Sequence, residues 1–107
     1  MKKVMVTKGL RGRPDPEAYH EKCMVAVNAY YDAKGEKYMI LSSGGVRNDF
    51  DGSTINKRLY ALGHTIQQEL ALADEVVFMD DWERFDGPVV EHLMCIRYGI
   101  PCVYLTS

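Results

Sequence analysis

The residues with the most chemistry in them run from Asp80 to Glu91: Asp80-Asp81-Trp82-Glu83-Arg84-Phe85-Asp86-Gly87-Pro88-Val89-Val90-Glu91. This stretch follows a short apolar run, Val76 to Met79, and leads into a helical pattern from Val89 to Tyr98. Gly87 and Pro88 start that helix, which puts Glu91 in its first turn. A carboxylate there stands on rigid structure beside the carboxyl end of a strand, the edge where open α/β sheets bind ligands. The helix macrodipole favours its ionised form. Acids are common at helix starts for that reason alone, so position leaves Glu91 between a structural acid and a catalytic one.

Two other loops follow strands in the same way. Gly9-Leu10-Arg11-Gly12-Arg13 lies between a strand and a helix start. Its glycines let the backbone approach a ligand closely, and its arginines suit phosphate or carboxylate. Arg11, between two glycines, is the expected ligand contact; Arg13, before Pro14, is expected to face solvent. Ser42-Ser43-Gly44-Gly45 follows the second strand, with small residues suited either to lining a ligand or to a plain turn. Trp82, between acids, is either a pocket wall or a packing residue. These three segments are expected to converge on one pocket with Glu91.

Other patterns are excluded. Asn48-Asp49-Phe50-Asp51-Gly52 resembles a calcium loop only superficially, since Arg47 and Arg58 fall where its first and last acidic ligands belong. His20, His64 and His92 are scattered, and Cys23, Cys95 and Cys102 have no CxxC spacing, so no metal site and no disulfide framework is expected. Reduced cysteines in a cytoplasmic core are the expected reading. No cofactor is implied.

The elements that must position these residues alternate. Val4 to Thr7 reads as a strand. Asp15 can cap a helix with Pro16 at its first position, and Ala18, Met24, Val27 and Tyr31 form its rough apolar stripe before Gly35. Tyr38 to Leu41 is a second strand. After a polar loop from Ser42 to Ser53, Ser53 or Thr54 can cap a helix in which Ile55, Leu59, Leu62, Ile66 and Leu70 recur at helical spacing. Val76 to Met79 is the third strand, Val89 to Tyr98 the third helix, and Cys102 to Leu105 the fourth strand. The order βαβαβαβ predicts an α/β fold with a parallel sheet of four to five strands joined by right-handed crossovers.

The 107 residues make one domain, spanning 1–107. A net charge of -2 gives no electrostatic case for a nucleic acid polymer or an anionic membrane, and no apolar run approaches the ~20 residues of a membrane helix. The small sheet, with Tyr and Met on its helices, suggests a homo-oligomer, a dimer first.

Four segments together resemble one family: Ala73-Asp74-Glu75-Val76-Val77-Phe78-Met79, Asp81-Trp82-Glu83, Gly87-Pro88-Val89-Val90-Glu91-His92 and Tyr98-Gly99-Ile100-Pro101. They are similar to the nucleoside 2-deoxyribosyltransferase-like proteins, in particular small phage and bacterial members of unassigned function. The opening Val4-Met5-Val6 and Gly9-Leu10-Arg11-Gly12 are similar to that family's first strand and glycine loop. The resemblance implies a flavodoxin-like fold, a nucleoside or nucleotide ligand, and cleavage or exchange at its N-glycosidic bond. Glu91 matches the family's nucleophile, attacking the anomeric carbon as in a retaining glycosidase. Gly9, Leu10, Arg11, Gly12, Ser42, Ser43, Gly44, Trp82 and Gly87 are the expected binding residues. Three positions depart from the family. His64 to Gln68 carries no counterpart of its assisting aspartate, with no carboxylate until Glu69; Phe85 stands where a phosphate-binding branch has serine; Asp81 stands where the family has glycine. Asp80 or Asp81 is then the expected proton donor. The alternative is a non-catalytic module that binds or sequesters a nucleotide.

Overall fold

The computed structural model describes residues 1–42 and 54–107. Ser43, Gly44, Gly45, the calcium-like segment and the expected cap at Ser53 lie outside the described residues.

Strand β1, Lys2–Thr7, is followed by helix α1, Pro16–Lys34. Asp15 caps α1 as its side chain accepts the Ala18 N–H at 3.1 Å, and Gly35 ends it in the left-handed region at φ 68°. Both ends follow from side-chain type: an acid satisfies a free first-turn donor, and glycine turns the chain without a Cβ penalty. Strand β2 spans Tyr38–Ile40 and helix α2 spans Thr54–Gln68. A 3-10 turn, Leu70–Leu72, leads to β3, Glu75–Phe78; a second, Trp82–Arg84, leads to α3, Asp86–Tyr98; β4 is Cys102–Tyr104.

The four strands form one wholly parallel sheet in the order β2-β1-β3-β4, the arrangement of a flavodoxin-like fold. Alternation along the strands sends Val4, Val6, Val77 and Met79 to one face, where Cys23, Val27 and Tyr31 of α1 cover them. Met5, Val76 and Phe78 go to the other, under Leu70, Cys95 of α3 and Ile66 of α2. The chain reverses direction across the sheet between β1 and β3. Their carboxyl ends, paired at Thr7 and Phe78, form the switch point where such sheets open a crevice.

Two expectations change. Helix α3 starts at Asp86 rather than Val89, because Pro88 is tolerated inside a first turn whose N–H groups have no intrahelical partner. Glu91 is therefore the sixth residue of α3 and stands in its second turn. The α2 stripe, the clearest helical signal in the sequence, is also only partly core. Leu70 is buried but lies in the 3-10 turn, Leu62 and Ile66 are half-buried, and Leu59 is 67% exposed.

Among the described residues, no helix is long and apolar enough to cross a membrane. Cys23 and Cys95 are buried and Cys102 half-buried, all as free thiols. Burial and the neighbouring Cys102 push the Cys95 thiol up to about 12.

Candidate functional site

A cleft of about 630 Å³ opens at the switch point, within the range of small-molecule sites. Its floor is the end of β1, from Met5 to Thr7, with Glu91 of α3 beside it. The loop residues Lys8, Gly9, Leu10 and Arg11 form one wall. Arg58, Leu62, Thr65 and Glu69, spaced along one side of α2 and its end, form another, and Phe85, Asp86, Gly87 and Pro88 close the third side. Leu59 and Leu62 of the α2 stripe thus line a cleft, which is why they are so little buried, while Ile66 packs on the core.

Glu91 is 4% exposed; among the described residues only it and its partner, Thr7, are buried polar groups. Thr7 donates its hydroxyl to Glu91 Oε1 at 2.6 Å. Strand alternation points Thr7 to the α3 side of the sheet, and helical periodicity points Glu91, like Pro88 and Cys95, down onto it. Burial raises the Glu91 carboxyl to about 7, against the opposing pull of the Thr7 hydrogen bond and with a further push from the charge of Glu69. This corrects the expectation of a dipole-stabilised, fully ionised carboxylate. In the second turn the dipole has largely faded, and desolvation decides. A carboxyl near 7 exchanges its proton at neutral pH, as acid–base and nucleophilic chemistry require.

The loop after β1 is built around Phe85. A Cβ on Gly9 would lie 2.1 Å from the Phe85 ring, so the ring packs directly on the glycine backbone. Arg13 locks the loop from behind. Its Nε donates to Gly9 O at 2.6 Å, its Nη2 donates to Asp80 O at 3.1 Å, and its guanidinium lies 3.6 Å from the Tyr19 ring centre. Arg13 is therefore a half-buried clamp and does not face solvent as expected. Arg11 is exposed and lines the cleft. Gly12, with φ 77°, turns the loop and does not line it.

The remaining expected residues stand elsewhere. Asp80 accepts from Tyr19 Oη at 3.1 Å and from the Ser107 N–H at 2.9 Å, and it is not in the cleft lining. Burial pushes its carboxyl up, but the hydrogen bonds from Ser107 and Tyr19 outweigh this and hold it below the ordinary value. A carboxylate so held is a poor proton donor. Asp81 is exposed, outside the lining, and in the left-handed region at φ 57°. That conformation is cheapest for glycine and tolerable for aspartate. Trp82 packs against His92 and Phe78, with ring centres 4.2 and 5.2 Å away, while His92 Nε2 and Tyr104 Oη lie 2.7 Å apart. Ser42 is exposed and outside the lining, and Ser43 and Gly44 are not among the described residues. So Gly9, Leu10, Arg11, Gly87 and Glu91 share one cleft, and Gly12, Ser42, Asp80, Asp81 and Trp82 do not line it.

Sequence reasoning passed over Glu69 and Arg58. Glu69 was in view as the first carboxylate after His64, but nothing in its spacing showed that the end of α2 faces Glu91. Arg58 reaches Asp86 at 3.1 Å across the cleft rim. Among the described residues, no group of three or more His, Cys, Asp or Glu is placed to hold a metal ion.

No family model, curated protein or solved structure matches this chain.

Proposed function

We propose that this protein breaks or exchanges the N-glycosidic bond of a nucleoside or nucleotide, with Glu91 as the nucleophile. The observation that carries the reading is a carboxyl near 7, buried at the floor of a cleft at the sheet's switch point. Thr7 holds Oε1 and leaves Oε2 as the oxygen without that bond, to be aimed at an anomeric carbon. In its ionised form Glu91 attacks, the base departs, and a sugar–Glu91 ester is left for water or a second base to resolve. Phe85 and Leu62 offer apolar walls, and Arg11 and Arg58 at the rim supply positive charge for the polar end of the ligand. The resemblance of Gly87-Pro88-Val89-Val90-Glu91 to the nucleoside 2-deoxyribosyltransferase-like proteins names the bond.

A dimer belongs to the same reading. Val89, Leu93 and Ile96 leave an exposed apolar stripe along α3, at 42%, 55% and 62%. Light scattering at micromolar concentration checks it, with a monomer as the contrary result.

The test is incubation with nucleosides, nucleoside monophosphates and NAD, followed by chromatography of the products. Free base from at least one of them is expected. A thermal shift with no base released from any compound would instead favour a binding module, the reading that the separation of Asp80 and Asp81 from the cleft supports.

A further inference from the structure

A retaining cleavage needs two groups, one to attack the sugar and one to protonate the departing base. We infer that Glu69 is the second group: it donates a proton to the leaving base and recovers one from the attacking water. The inference rests on the N-glycosidic reading and adds a residue to it.

Among the described residues, three carboxyl groups line the cleft, those of Glu69, Asp86 and Glu91. Asp86 is at the rim, 89% exposed at its side chain and paired with Arg58 at 3.1 Å. Asp80 and Asp81 lie outside the lining. Of the described carboxyl groups that leaves Glu69, half-buried, one helical turn beyond Thr65 at the end of α2 and in the cleft lining. Its N–H still donates to Thr65 O at 2.9 Å, so its backbone is held as the last turn of a helix rather than as a free loop. Glu91 at the floor and Glu69 on the α2 side thus line the same cleft from two different elements. The two also sense each other: the charge of an ionised Glu69 opposes ionisation of Glu91, so a proton held on Glu69 removes that push and favours the ionised nucleophile. The other charged groups around the cleft are Lys8 and Arg11 after β1, Arg58 on α2 and Asp86 on α3.

The steps balance. Glu91 Oε2 bonds to the anomeric carbon as the carbon–nitrogen bond breaks; its electron pair stays on the base nitrogen, which takes the Glu69 proton. Water then attacks the same carbon, its proton passes to Glu69, and the ester electrons return to Glu91. The products are free base and free sugar.

The experiment compares two leaving groups. An ordinary purine needs a proton as it leaves; an N7-methylated purine nucleoside already carries the positive charge and leaves without one. Glu69→Gln should slow base release from the ordinary purine nucleoside by about 100-fold or more, the usual contribution of a general acid, and slow the N7-methylated one far less. Glu69→Asp should recover part of the loss, and melting curves of both variants should match the parent. Equal slowing of both substrates, or no slowing of either, overturns the role of Glu69 while leaving the N-glycosidic reading intact. No base release by the parent protein from either substrate overturns both.

Discussion

Thr7 Oγ1 and Glu91 Oε1, eighty-four residues apart in sequence, lie 2.6 Å apart and join the last residue of β1 to the second turn of α3. The bond is to the floor of the cleft, so it ties the acidity of Glu91 to the register of the sheet. It stabilises the ionised form in a place where burial opposes ionisation. Thr7→Val keeps the shape and removes the donor. The Glu91 carboxyl should then titrate above its present value of about 7. Carboxyl-carbon NMR across a pH series reads this directly; an unchanged or lower midpoint would show that the hydrogen bond does not set the acidity.

The raised carboxyl also predicts how stability depends on pH. A glutamate titrating at about 7 when folded, against 4.5 for the exposed group, binds its proton more tightly in the native state. Its contribution is present in full below about 4.5 and is lost as pH rises through about 7. The shift corresponds to roughly 3 kcal/mol if fully expressed. Glu91→Gln removes this slope. The difference in melting temperature between variant and parent should therefore grow in the variant's favour between pH 5 and pH 8, measured by calorimetry. A constant difference across that range is the contrary outcome.

Much of this arrangement was legible in the sequence, and what was not has physical causes. Asp15 and Gly35 marked the ends of α1 because caps are local chemistry, settled by residues a turn apart. The parallel pairing of the strands followed from the alternation of elements. The helical pattern of α3 was read from Val89, with Gly87 and Pro88 only as its start, because the apolar residues begin there, whereas the helix already includes Asp86, Gly87 and Pro88. That offset moved Glu91 one turn inward and replaced a dipole argument with a burial argument. The partners of Arg13 and Asp80 were not legible at all. Arg13 reaches Asp80 O, sixty-seven residues away, and Asp80 reaches Tyr19, contacts that exist only once β1 and β3 pair. The cleft face of α2 was hidden for the same reason: a stripe of Leu and Ile reads identically whether it meets a core or a ligand.

Gly9 and Phe85 make a sharper steric test. A methyl group at Gly9 would meet the ring at 2.1 Å, far inside van der Waals contact, so the ring must move. Gly9→Ala should cost about 1–3 kcal/mol of stability by overpacking. Phe85→Ala opens the space, so the double variant should be less destabilised than the sum of the two single ones. Additive losses in chemical denaturation would mean that the ring and the glycine do not touch.

Arg11 and Arg13 should separate cleanly. Arg11→Ala leaves the loop's hydrogen bonds in place and removes a charge from the cleft wall; affinity for an anionic ligand should fall about ten-fold or more, with little change in melting temperature. Arg13→Ala removes the donors to Gly9 O and Asp80 O and the contact with Tyr19, so it should lower the melting temperature. The reverse pattern, measured by titration calorimetry and thermal melting, would exchange their roles.

The central claim is that Glu91 carries the sugar. Acid-quenching the protein during turnover of a 2-deoxynucleoside, then digesting it and weighing the peptides, tests that claim most directly. The expected result is a deoxyribosyl mass added to the peptide containing Glu91 in the parent protein and absent in Glu91→Gln, which should release no base. Base release at the parent rate by Glu91→Gln, or an adduct on any other residue, would contradict it.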